Sequence, residues 1–98
     1  MIETLDTILT TFKQTKSNYQ KFLLQSQDAD TRSLRDIDLE NLKYLGQLRR
    51  TKYAVERYVR TNYKMITTAQ AKNAIIYQEE LDLSQEVKII LELLSKEG

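Results

Sequence analysis

Residues 34–66 read LRDIDLENLKYLGQLRRTKYAVERYVRTNYKMI. The stretch holds no proline, and apolar residues recur at near-heptad spacing: Leu34, Ile37, Leu45, Leu48, Val55, Val59 and Ile66. That spacing predicts one long helix with a single packing seam. At 100° per residue, a second row falls on the opposite side: Lys43, Arg50, Arg57 and Lys64, each seven residues after the last. Between Lys43 and Lys64 seven bases stand against one acid, Glu56. The local charge is therefore +6, and the rest of the chain carries −5 to give the net +1. Gly46 lies inside this helix, where it costs about 1 kcal/mol against alanine; close packing or a slight bend would explain it.

On the N-terminal side, Ile2, Leu5, Leu9, Phe12, Tyr19 and Leu23 form an a/d seam with Lys16 its one polar interruption, and Ile8 and Phe22 widen it. Glu3 and Asp6 come early and Lys13, Lys16 and Lys21 later, the order the helix dipole favours. Helix one is read from Ile2 to about Ser26. Gln25 to Arg32 covers its end and a polar linker of a length suited to an antiparallel connection. Ser33 offers an N-cap with Asp36 three residues on, and Asp30 is the alternative cap. The central helix is roughly eight residues longer than the first, so its second half overhangs that partner.

Beyond Ile66 two readings stay open. The helix runs on to about Glu80, or a turn near Lys72–Asn73 splits off a short third helix. Leu83–Ser84 then reads as a staple residue and N-cap for a last helix from Gln85 to Ser95. Val87, Ile90, Leu91 and Leu94 make one face of it, while Ile89 and Leu93 widen the apolar arc beyond what one neighbour covers. A helix apolar on more than one side is buried from more than one side. In a chain this short, part of that burial is expected from another protein.

Ninety-eight residues suffice for one small domain, residues 1–98, and not for two. Charged residues at 30% and hydrophobic ones at 41% suit a soluble fold rather than a disordered chain. No proline and only two glycines argue against a β-rich domain, which needs turn punctuation. Cysteine and histidine are both absent, which removes disulfides, thiolate sites, the commonest metal ligand and the usual general base. No cofactor is expected. No apolar run approaches the roughly 20 residues of a membrane span, and the acidic start is unlike a signal peptide. A cytosolic protein without membrane contact is expected.

The carboxylate pairs (Asp28/Asp30, Asp36/Asp38, Glu79/Glu80) fall at helix starts and in linkers, where capping and solvation account for them better than catalysis. There is no Gly-rich phosphate loop. The chain is read as a non-enzyme. An all-α chorismate mutase bundle is the nearest enzyme resemblance, with Arg49, Arg50 and Lys52 offered to a dianionic substrate, but helix one holds no arginine as that family requires. The basic stripe (Lys43, Arg50, Arg57, Arg60, Lys64) admits weak nucleic-acid contact, with Tyr44, Tyr53, Tyr58 and Tyr63 as stacking surfaces. It equally admits a solvated face with intrahelical pairs such as Glu56–Arg60.

Lys52-Tyr53, then Tyr58-Val59-Arg60, Lys64 and Ile66, resemble a long helix of subunits of the GINS replication complex. Leu39-Glu40-Asn41-Leu42-Lys43-Tyr44 is similar to the lead-in of that helix in another register. Leu83-Ser84-Gln85-Glu86 is similar to the start of the family's next helix. The resemblance covers about half the chain and best fits the subunit type whose helical "A" domain comes first. It implies a scaffold packed against sister subunits, binding the replicative helicase and a RecJ-like protein at replication forks, nucleoid-associated in archaea or nuclear in eukaryotes. The family's small β-rich domain has no counterpart here.

The expectation is thus an all-α, antiparallel bundle of three to four helices around one long central helix. It would be a homo- or hetero-oligomer and a protein–protein interaction module with its partner interface at Val87, Ile89, Ile90 and Leu93. The alternatives are a bacteriocin-immunity-type bundle, a phage or plasmid regulator, or a basic helical nucleic-acid binder.

Overall fold

The computed structural model describes residues 4–27 and 34–96. They form four α-helices: α1 Leu5–Gln27, α2 Leu34–Asn62, α3 Thr68–Ile76 and α4 Gln85–Lys96, with a 3₁₀ turn at Tyr63–Met65. The all-α bundle around one long central helix is what the sequence periodicity predicts. Ile2, Asp30 and Ser33, named as a helix start and two caps, lie outside the described residues. Within them, α1 opens on a threonine exchange instead: the Thr7 N–H donates to Thr4 Oγ1 at 3.3 Å and the Thr4 N–H to Thr7 Oγ1 at 2.8 Å. Two of the orphan donors at the helix start are thereby satisfied.

The central helix ends four residues short of Ile66 and does not run on to Glu80; the short third helix of the other reading is present, but the turn before it lies earlier than Lys72–Asn73. The chain breaks at Ile66–Thr67, both in extended conformation, and α3 runs unbroken through Lys72–Asn73. Thr67 makes the break. Its hydroxyl accepts the Gln70 N–H and the Gln70 side chain accepts the Thr67 N–H, both at 3.1 Å, a reciprocal capping box that starts a new helix. Ile66 meanwhile turns its side chain into the core.

Helices α1 and α2 pair antiparallel, Tyr19 bonding Asn41 near one end while Ile8 lines one hollow with Thr51 and Ala54 toward the other. Helices α3 and α4 form a second, shorter hairpin. At 1.5 Å per residue α2 is about 44 Å long and α4 only about 18 Å, so the second hairpin covers less than half of the first. One core results, drawn from Leu5, Leu9, Phe12, Val55, Val59, Ile66, Ala71, Ala74, Val87 and Leu91. The outer half of the α1–α2 hairpin is held by a separate aromatic cluster. Tyr44 stacks on Tyr19 at 5.5 Å and meets Phe22 at 5.4 Å. The radius of gyration is 16.0 Å, against about 13 Å for a compact chain of this length.

The seam of α2 therefore divides. Val55, Val59 and Ile66 are buried and Leu48 half-buried, whereas Leu45 is 43% exposed. It is the second half of α2, expected to overhang, that carries the core, because α4 covers it there. Close packing, one of the reasons expected for Gly46, does not apply. A Cβ there would meet only an Arg50 guanidinium nitrogen at 3.9 Å, ordinary contact distance. Gly46→Ala should therefore stabilise the chain by about 1 kcal/mol, raising Tm by roughly 4–8 °C. An unchanged or lower Tm in thermal circular dichroism would mean that something outside this chain uses the gap.

Between α3 and α4 the chain turns through residues 77–84. Leu81 and Leu83 drop into the core, and Asp82 between them takes a left-handed φ of 54°, a conformation Asp tolerates better than most side chains.

Candidate interaction surface

The second hairpin is fastened to α2 by polar groups. Glu56, 6% exposed, sits among Val55 and Val59 and accepts the Ser84 N–H at 2.8 Å. Ser84 in turn accepts the Val87 N–H at 3.4 Å, so Glu56 and Ser84 together satisfy the start of α4. Arg60 donates to Glu86 Oε1 and to Ser84 Oγ, each at 3.3 Å, and Lys52 pairs with Asp82 at 3.6 Å. Burial alone would raise the Glu56 pKa. The Ser84 N–H and hydroxyl, followed by Lys52 and Arg60, outweigh it and hold the carboxyl below its ordinary value. A carboxylate so held is a structural anion, the reverse of a general acid.

The basic stripe is thus two populations. Arg60, expected on the open stripe and in an intrahelical pair with Glu56, is turned to α4 instead. Lys43, Arg50, Arg57 and Lys64 are exposed, and none forms an ion pair among the described residues. Arg50 and Arg57 line a shallow cleft with Tyr53, Ala54, Tyr58 and Thr61. Of the four tyrosines offered as stacking surfaces, Tyr53 and Tyr63 are exposed. Tyr44 is spent on Tyr19 and Phe22, and Tyr58 packs against the core.

The apolar arc of α4 divides as well. Val87 is fully buried in the chain's own core and Ile90 packs against it, so these two are corrected from partner contact to internal packing. Ile89 and Leu93 face outward, 49% and 59% exposed. Their separation from Val87 follows from the helical angle: positions 89 and 93 lie across α4 from 87 and 91.

Among the described residues no group of three or more acidic side chains is placed to hold a metal ion, and no helix is long and apolar enough to cross a membrane. Comparison with protein-family models, with curated proteins and with solved structures finds no match.

Two features escape the hydrophobic periodicity although their signals stand in the sequence. The start of α3 is one, since Thr67 with Gln70 three residues on is a capping-box pair. Glu56 is the other. It is the one acid in a basic stretch and is flanked along the helix by two seam valines, a position where a carboxylate needs buried donors.

Proposed function

We propose that this chain is a non-catalytic protein–protein interaction module, in its specific form a GINS-type helical domain that helps scaffold the replicative helicase. One observation carries the specific form. The two segments that resemble GINS helices, Tyr58-Val59-Arg60 and Leu83-Ser84-Gln85-Glu86, are far apart in sequence yet make one joint, Arg60 bonding both Ser84 and Glu86. Two segments that each resemble the family, and that also meet in the fold, support the reading together more than either does alone. The wider reading rests on Ile89 and Leu93, apolar side chains left outside by the chain's own packing. The module acts in the cytoplasm or nucleoid, or in the nucleus of a eukaryote.

A tagged pull-down from native extract with nuclease present tests both levels, with Ile89→Asp/Leu93→Asp as the control. Recovery of a sister helical subunit and helicase components by the wild type, lost in the variant, is the expected result. Recovery of neither removes the replication reading.

A second reading has its own support in the open bases and the exposed Tyr53 and Tyr63 beside them: weak binding of single-stranded nucleic acid. The triple variant Arg50→Glu/Arg57→Glu/Lys64→Glu alters exposed residues only, so its Tm should stay within a few degrees of the wild type. If nucleic acid is the ligand, oligonucleotide anisotropy should show binding that weakens steeply with salt and vanishes in this variant. Binding that survives the triple reversal would remove the second reading.

A further inference from the structure

We propose that the outer half of α2 is a dimerisation surface whose occupant is a second, antiparallel copy of the same helix. The proposal goes beyond the partner reading above and involves a different element, α2 rather than α4.

The face in question is the one the 77–84 turn covers at its inner end. Leu45 and Arg49 line a hollow there together with Glu80, Leu81 and Asp82. Farther out, the described residues place nothing over that face. Leu42 is 63% exposed and Leu45 43%. Leu23, seven residues beyond the Lys16 that bonds Glu80, lies on the same side of α1 and is 44% exposed.

Along this face α2 reads Asp38, Leu42, Leu45, Arg49, at steps of four, three and four residues. At 100° per residue these four fall within a wedge of about 60°. The stripe is symmetric in spacing about its midpoint and opposite in charge at its ends. Asp38 and Arg49 are both exposed, and neither has an ion-pair partner among the described residues. About 16 Å of helix separates them, so they cannot serve each other within one chain.

A second copy laid antiparallel answers both needs. Asp38 of each chain then faces Arg49 of the other, and Leu42 of each faces Leu45 of the other. A two-fold axis makes both contacts twice, as an isologous interface requires. A parallel copy would set Asp38 against Asp38 and Arg49 against Arg49. The charges therefore specify direction while the leucines supply burial, the division of labour seen between flanking charges and apolar seam in coiled coils. The partner hairpin occupies the length of α2 that the 77–84 turn leaves bare. A specific interface needs about 1,000 Å² in total, so Leu23 and the polar rim must add to the leucine pairs. Dissociation in roughly the micromolar range is expected.

Sedimentation equilibrium up to about 100 μM should show the wild type approaching twice its 11.6 kDa chain mass. Asp38→Arg alone and Arg49→Asp alone each create two like-charge contacts and should weaken the dimer at least about a hundredfold. An equimolar mixture of the two single variants brings a chain with two bases against a chain with two acids. It should recover a heterodimer that neither forms with itself, and the double variant D38R/R49D should recover a homodimer. Because rescue requires folded chains, it separates a lost contact from a lost fold. A wild type that stays monomeric throughout, or a dimer indifferent to both reversals, or reversals that the mixture fails to rescue, would overturn the proposal. None of these results bears on capture of a partner through Ile89 and Leu93, so the two readings fail independently.

Discussion

Glu56→Ala should lower stability by about 2–3 kcal/mol and Tm by roughly 10–20 °C. The residue carries no catalytic duty in this expectation; its removal strands the Ser84 N–H at the start of α4 and leaves Lys52 and Arg60 without the anion between them. A loss of that size is a large share of the roughly 5–15 kcal/mol available to a domain. The pH dependence separates this cause from lost packing. The folded-state pKa of Glu56 lies below its ordinary 4.5, so its stabilisation is complete above that value and is lost as pH falls through the lowered pKa. The difference between wild type and Glu56→Ala should thus be flat from neutral pH down to about 5 and shrink only in stronger acid. Urea unfolding at a series of pH values measures it. A difference that is already small at neutral pH would mean that Ser84 finds another acceptor.

Leu9→Ala is expected to cost about 3–4 kcal/mol, and Leu23→Ala less than about 1 kcal/mol. Both residues stand on the same heptad seam of α1, yet Leu9 is fully buried and Leu23 is 44% exposed. Equilibrium denaturation at submicromolar concentration, where the chain is monomeric, reads the contrast. Equal costs would show that the outer hairpin is covered in solution by something other than a second copy.

That contrast marks how far the sequence can be read. Periodicity identifies the helices and their apolar sides, because burying a stripe is a local demand written at i, i+3 and i+4. It places α4 and its Ser84 start closely, since staple and cap are local too. What it cannot see is how much of a stripe another element reaches. Leu9 and Leu23 are equivalent by register, and only the shortness of α3 and α4 distinguishes them. On α4 the helical angle does set Ile89 and Leu93 apart from Val87 and Leu91, but it does not tell that the chain's own helices cover only the second pair. The end of α2 is misplaced by periodicity because helix propensity changes little across Ile66–Thr67, and the decisive contact there is a side-chain cap rather than a glycine or proline. Arg60 reads as part of an open stripe because its partners, Ser84 and Glu86, come from a different hairpin.

The two-hairpin architecture has a kinetic consequence. Each helix finds its main partner next to it in sequence, α1 with α2 and α3 with α4. Closing such short loops costs little entropy, and chains dominated by local contacts belong with the fast folders. Each hairpin can thus begin to form on its own, and their mutual docking makes the transition cooperative. That docking spans 28 residues at the Glu56–Ser84 contact. Cooperativity of the whole chain therefore rests on the core that the two locally assembled units share, and partial unfolding is expected along the same line, with α3 and α4 leaving together.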